Sequence, residues 1–390
     1  MKNIIIDSVE TIKEELLHIS QYIWKNPELG HEEFKACDVL TDSLIKHNFN
    51  VEIGICDLPT AFRATFDSGK EGPTVGFMCE YDALPDIGHA CGHNLIATMG
   101  LGAGIALSKV IEKTGGKVIV YGTPAEETKG GKVTMAEQGI FDELDVAMMV
   151  HPSSNYQKSG TSLAMDAIQF EFFGKTSHAA ASPEKGINAL DAVIQTFNGI
   201  NALRQHVTSD ARIHGIIPEG GKAANIVPDY AVAQFYVRAK TRSYVNELVE
   251  KVKKIAEGAA LMTGATMKMS NYELSYDNLV TNETLSKSFT NTLVDLGVKK
   301  DEILEESKGY GSLDMGNVSL VCPSIHPYVK ISDIPCPGHT VEFRDAAISD
   351  KGQKAMILAA KAMALTGLEV LTNKELLTKI KEEFKLNENK

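Results

Sequence analysis

Three short apolar runs each end in residues that bind metals or move protons. TVGFMCE (74–80) leads into EYDALPDIGHACGHN, which holds Glu80, Asp82, Asp86, His89, Cys91 and His93. KVIVYG (117–122) leads into TPAEE with its adjacent Glu126 and Glu127, and DVAMMV (145–150) leads into His151. A fourth cluster, PCPGHTVEF, supplies His339 from far along the chain. Thiolate, imidazole and carboxylate are ligand types that suit zinc, and two neighbouring carboxylates let one ligate while the other handles protons. Taken singly, each has a plainer reading. Cys91 is a small buried hydrophobe, the glutamates are a solvated pair, and His151 and His339 hydrogen-bond a loop. In open α/β sheets, however, ligands gather outside the carboxyl ends of the strands, so these clusters converge on one spot.

The elements that must position them can be read from hydrophobic spacing. Val9, Ile12, Leu16, Ile19 and Ile23 recur at helical intervals, with Asp7 or Ser8 as the cap and Pro27 and Gly30 as the stop. The apolar runs then alternate with helical stretches, which predicts a mostly parallel sheet covered by helices. Near residue 167 the pattern changes. AIQFEFFG puts Ile168, Phe170 and Phe172 on one face of a strand, and a helix follows over about 187–203. Strands at HGIIP (214–218) and AVAQFYVRA (231–239) come next, then a helix bearing Val245, Leu248, Val249, Val252 and Ile255, and finally ATMKMSNYEL. This β-α-β-β-α-β order is the ferredoxin-like motif. From about residue 279 the chain returns to helix, then VSLVC as a strand and a long helix near 349–366. The expected architecture is a catalytic α/β/α domain, residues 1–166 and 279–390, interrupted by an inserted α+β lid, residues 167–278.

The chain of 390 residues exceeds one ordinary core, which suits two domains. A net charge of -12 argues against nucleic acid as a partner. No membrane span or signal-peptide core is evident, and six sparse cysteines without a C-x-x-C pair suit a reducing compartment, so a cytoplasmic location is expected.

Several strings, in this order along the whole chain, are similar to the aminoacylase and carboxypeptidase G metallopeptidases, peptidase family M-20. They are EYDALPDIGHACGHN, GTPAEE, VHP, TSHAAASPEKGINALDA, ANIVPDYA, VRA, GSLDMGNVS and CPGHTVEF. The amidohydrolase branch, with aminobenzoyl-glutamate hydrolase and dipeptidase-like members, resembles it most. The resemblance implies hydrolysis of a small amide or peptide substrate by metal-activated water. It makes Cys91, His93, Glu127, His151 and His339 ligands of one or two divalent ions, zinc or else manganese. It further implies Glu126 as general base, Asp82 as the orienting carboxylate and a homodimer or higher homo-oligomer through the lid. His178 of the lid becomes an oxyanion donor, and Asn225 and Arg238 bind the substrate's polar end. Two departures stand out: Asn94 replaces the Asp of many relatives, and Glu80 stands where the peptidase branch places a His ligand.

GLGAG (100–104) has glycine spacing like a dinucleotide loop but follows no strand directly, so close helix packing explains it better. His326, Ser312 and Asp314 are further pocket candidates. Two other readings compete: a cysteine hydrolase with Cys91 as nucleophile, which leaves Glu127, His151 and His339 without roles, and a metal-dependent peptide-binding or regulatory protein without turnover.

Overall fold

Strand Thr74–Cys79 is buried along its whole length, so both of its faces must be covered. Val75, Phe77 and Cys79 join one large apolar cluster, and Met78 joins another on the opposite side. Near-continuous apolar sequence is what a parallel strand between two helix layers requires. In the computed structural model, which describes residues 1–305 and 311–387, this strand lies inside a six-stranded sheet. The order is Asn50–Ile53, Phe62–Asp67, Lys117–Gly122, Thr74–Cys79, Val146–Met148, Ser324–Ile325. The last four run parallel, and the first two are antiparallel additions at one edge.

Helices His93–Thr114 and Asp350–Thr372 pack together on one face of the sheet. Both are long and apolar enough to cross a membrane by composition, and both are largely buried in the core. Gly131–Glu137 and Met315–Val321 cover the other face through Met135, Met315 and Val318. A small sheet, ordered Ile303–Leu304, Tyr156–Gln157, Tyr328–Lys330, His151–Ser153, extends beyond the strand ends.

The chain divides into two compact units. Met1–Thr161 and the segments beginning at Leu279 and Leu313 form one; Ser162–Asn278 form the other. The second is a four-stranded antiparallel sheet ordered Thr266–Asn271, Ala164–Phe173, Tyr230–Ala239, Arg212–Glu219. Helices Ala189–Leu203 and Arg242–Thr263 pack on its apolar face, where Ile168, Phe170, Phe172, Phe235 and Val237 lie. Asn188 and Thr241 cap these helices by accepting backbone N–H groups of the first turn.

Two expectations need correction. The N-terminal stripe belongs to two helices, Lys2–Thr11 and Lys13–Lys25, that meet at Ile12 (φ -94°, ψ 6°). Asp7 and Ser8 lie inside the first and cap neither, because the buried stripe extends back to Ile5. VSLVC, read as a strand, is mostly helix Met315–Val321, followed by strand Ser324–Ile325. Met315, Val318 and Cys322 bury one helical face, and that packing overrides the β-preference of valine.

The glycines of GLGAG serve packing. A Cβ on Gly100 would lie 2.6 Å from Cys79 Sγ and 2.9 Å from Met78 O, and one on Gly104 would lie 2.2 Å from Val120 Cγ2. Alanine at position 100 gains about 1 kcal/mol of helix propensity but forces a core shift of about 1–3 kcal/mol. Gly100→Ala should therefore lower the urea midpoint; an unchanged or higher midpoint would contradict this packing.

Candidate metal centre

The four parallel strands end on the same side of the sheet, and their continuations meet. Cys91, His93 and His151 offer ligand atoms within 4.8 Å of one another, as do Cys91, Glu127 and His339, and also His93, Glu126 and Glu127. Cys91 Sγ lies 3.4 Å from His151 Nε2, and His339 Nε2 lies 3.2 Å from Glu127 Oε1. All five residues expected to ligate thus share one cluster. Gly92, at φ +79°, makes the turn between Cys91 and the helix that begins at His93. A Cβ there would lie 2.5 Å from Pro152 Cγ, so the glycine allows this loop to approach the segment carrying His151.

Both central imidazoles are oriented from behind. His93 Nδ1–H donates to the main-chain O and Oδ1 of Asp82, at 2.9 and 3.0 Å. His151 Nδ1–H donates to Pro152 O at 2.7 Å. These acceptors hold each Nδ1–H and aim each Nε2 at the metal position, His151 as a neutral ring and His93 once its Nε2 proton is displaced. The second oxygen of Asp82 accepts the backbone N–H of Glu127 at 2.9 Å. His151 is also set by parallel pairing with Tyr328, a short pairing without a readable sequence signal.

The group fits a divalent cation. His93 Nε2 and Glu127 Oε1 are buried without a hydrogen bond among the described residues and stand 3.9 Å apart. Two lone-pair donors that face each other at that spacing suit a cation between them. Burial, then the charges of Glu80, Asp314 and Glu127, hold the Glu126 carboxyl well above its usual range. Burial lowers His151 to about 3, helped by His326, so its ring stays neutral as a ligand's must. Burial also raises the Cys91 thiol strongly against the opposing pull of His93, and a cation at the sulfur would reverse that rise.

Other expected residues fall differently. His326 packs against His151 with ring centroids 5.5 Å apart and planes tilted by 39°. Asp314 is buried against Lys132, and Ser312 Oγ is buried without a hydrogen bond among the described residues. Asp86 is exposed at φ +66° and His89 is buried; neither joins the ligand groups. Asn94 Nδ2 donates to Ser20 Oγ in the core at 3.0 Å, a packing role.

In the smaller unit, His178 is exposed and its Nδ1 accepts the backbone N–H groups of Ala180 and Ala181 at 3.2 Å each. It closes the turn, and the same bonds place its ring proton on Nε2. Asn225 is exposed and accepts Ala179 N–H through its main-chain O at 3.0 Å. Arg238 lies on an interior strand rather than an edge, with its guanidinium 5.2 Å from the centre of the Tyr236 ring. Its Nε is buried without a hydrogen bond among the described residues.

Sequence reasoning missed Lys132 and Glu33. Glu33 Oε1 accepts Ala125 N–H at 2.8 Å, and Oε2 accepts Thr60 Oγ1–H at 2.8 Å. Ala125 sits at φ +62° immediately before Glu126, and His339 at φ +63°. Each left-handed non-glycine costs about 1–3 kcal/mol, so Glu33 helps hold a strained loop at the site. Neither residue stands in a recognisable motif; only the fold brings them near.

Burial raises Glu33 from 4.5 to about 7. The unfolded carboxyl releases its proton near 4.5 while the folded one keeps it to about 7. Stability should therefore fall as pH rises through that window, by about 3 kcal/mol in total, and flatten above it. Glu33→Gln should remove this slope in denaturant titrations; an unchanged slope would show that Glu33 does not cause it.

The chain has relatives among known proteins. Residues 165–262 match a family model described as a peptidase dimerisation domain. The chain is 37% identical over 401 residues to a Xaa-Arg dipeptidase of Mus musculus, spanning 97% of this chain and 91% of the relative. It is 29% identical over 451 residues to one chain of the p-aminobenzoyl-glutamate hydrolase of Escherichia coli K12, spanning 97% and 93%. The solved structure of an aminobenzoyl-glutamate utilization protein from Klebsiella pneumoniae has the same fold, with a TM-score of 0.74 at 17% identity over 93% of this chain and 97% of that one. So does a dinuclear metal binding peptidase of the M20 family from Bacillus subtilis, with a TM-score of 0.69 at 18% identity over 92% and 99%. A strand-end cluster of thiol, imidazole and carboxylate groups, together with this kinship, makes the chain a member of the M20 metallopeptidase family, a metal-dependent hydrolase of amide bonds.

Proposed function

We propose that the chain cleaves the amide bond of a dipeptide, an N-acyl amino acid or an aminobenzoyl-glutamate-like compound in the cytoplasm, with Glu126 as the proton carrier. The observation that carries this reading is the contrast between the adjacent glutamates. Glu127 faces His339 and His93, its backbone tied to Asp82, as a ligand would be. Half-buried Glu126 also comes to 4.0 Å of His93 Nε2, but burial and the surrounding carboxylates of Glu80 and Asp314 raise its proton affinity. Cys91, His93, Glu127, His151 and His339 would hold the ion, and the two triads that share Cys91 offer room for one or two. Zinc suits the thiolate and imidazoles best, and manganese the carboxylate. A divalent ion held there would supply Lewis acidity toward the scissile carbonyl and would lower the pKa of the attacking water. Glu126 accepts a proton from that water and delivers it to the leaving amine nitrogen, a task that favours a carboxyl with a raised pKa.

The cysteine-hydrolase reading fares worse. The nitrogen at 3.4 Å from Cys91 Sγ belongs to His151, whose basicity is depressed, the other neighbouring imidazole, His93, is engaged by Asp82, and a cysteine nucleophile leaves Glu127 and His339 without roles. All six cysteines are free thiols, which supports a reducing compartment.

The smaller unit supplies substrate contacts in this reading. His178 Nε2–H donates to the oxyanion of the tetrahedral intermediate. Arg238, half-buried over Tyr236, offers its fork to a substrate carboxylate, and Asn225 its side-chain amide. Dimerisation proceeds through the edge strand Arg212–Glu219, whose Ile216 is 61% exposed. An unpaired apolar edge seeks a second strand.

Chelation should abolish hydrolysis of a panel of dipeptides and N-acyl amino acids, and zinc or manganese should restore it. Glu126→Gln should keep its metal and lose roughly 10²–10⁴-fold in turnover. Glu127→Ala should lose metal, and His178→Ala should keep it while turnover falls. Full activity in metal-free protein would overturn the reading. Metal retained by Glu127→Ala and lost by Glu126→Gln would reverse the roles.

A further inference from the structure

Glu80, Glu126 and Asp314 each bring a carboxylate oxygen within 4.8 Å of the other two. This acidic pocket adjoins the ligand cluster, since His93 Nε2 lies 3.5 Å from Glu80 Oε2 and 4.0 Å from Glu126 Oε2. Neither Glu80 nor Asp314 belongs to the proposed ligand set. Lys132 enters the pocket from the first turn of helix Gly131–Glu137, and its side chain is fully buried. Its Nζ donates to Glu80 Oε1 and to Asp314 Oδ1, at 2.6 Å each, and its backbone N–H donates to Asp314 Oδ2 at 3.1 Å. Glu80 and Asp314 are themselves buried to 2% or less exposure.

Each ion costs several kcal/mol to desolvate, so neither the acids nor the ammonium would persist here alone. Three carboxylates at this spacing also form the hard oxygen environment that divalent ions seek. We infer that Lys132 is a built-in cation: its ammonium fills the Glu80–Glu126–Asp314 pocket, denies it to metal, and confines metal to the set Cys91, His93, Glu127, His151 and His339. The inference rests on the ligand set given under Proposed function. It gives Glu80 a definite role, since one of its oxygens is held on Nζ while the other faces His93. A tethered ammonium cannot exchange, so the pocket keeps its charge whichever ions the cell supplies.

Wild-type crystals soaked in manganese and measured at the manganese absorption edge should show anomalous density within the five-ligand set and none among Glu80, Glu126 and Asp314. Lys132→Met should gain a peak in that pocket and one additional manganese per chain by plasma mass spectrometry. Lys132→Arg should keep the wild-type pattern. A pocket peak in the wild type, or Lys132→Met that folds and binds no additional ion at saturating manganese, would overturn the inference. If Lys132→Met loses its cooperative thermal transition in chelator, manganese should restore it; failure of that rescue also counts against the inference. The metal-centre reading fails separately, if the wild type shows no ion in the five-ligand set while Lys132→Met still gains its own.

Discussion

One carboxylate ties the site together. Asp82 receives the Nδ1–H of His93 on one oxygen and the backbone N–H of Glu127 on the other, at 3.0 and 2.9 Å. Two prospective ligands on two different strand extensions are thereby fixed relative to one another before any ion arrives. Burial pushes the Asp82 carboxyl up, but His93 and the two hydrogen bonds outweigh it and keep it ionised. The same charge holds His93 well above the usual imidazole range despite the burial that opposes it. An ion that enters must therefore displace a proton from His93, which couples metal affinity to pH.

Around that pair the fold concentrates negative charge where the backbone can least disperse it. Glu80, Asp82, Glu126 and Glu127 follow the ends of buried strands, Asp314 joins them from the start of helix Met315–Val321, and Lys132 and His93 offset only part of that charge. The remainder calls for a cation on the side of Cys91, His151 and His339. The strained backbone at Ala125 and His339 is tolerated because Glu33 and the main-chain O of Ala90 hold those turns. Rigidity of this kind lets a metal site be precise when it is built from loops rather than from a single element.

Much of this was legible in the sequence. Strand-end clusters carry their own signal, because apolar runs buried on both faces are hard to mistake and the residues after them mark the sheet's functional edge. The smaller unit was legible because Phe170 and Phe172 alternate with polar residues and the two helices carry clean apolar stripes. What stayed hidden depends on tertiary partners. Lys132 reads as an ordinary helix-start lysine until Glu80 and Asp314, distant in sequence, close around it. Glu33 gains meaning only from Ala125. Strands Asn50–Ile53 and Phe62–Asp67 are antiparallel edge additions with mixed burial, too weakly patterned to recognise. VSLVC misled because β-branched composition and helical packing point in opposite directions.

The central claim is that Cys91 and its histidine and glutamate partners bind a divalent ion together. X-ray absorption at the zinc edge of zinc-reconstituted protein tests it most directly. A sulfur shell at about 2.3 Å should accompany nitrogen and oxygen neighbours at about 2.0–2.2 Å. That sulfur shell should vanish in Cys91→Ser. A spectrum without sulfur in the wild type, or with the same sulfur shell in the variant, would contradict the account.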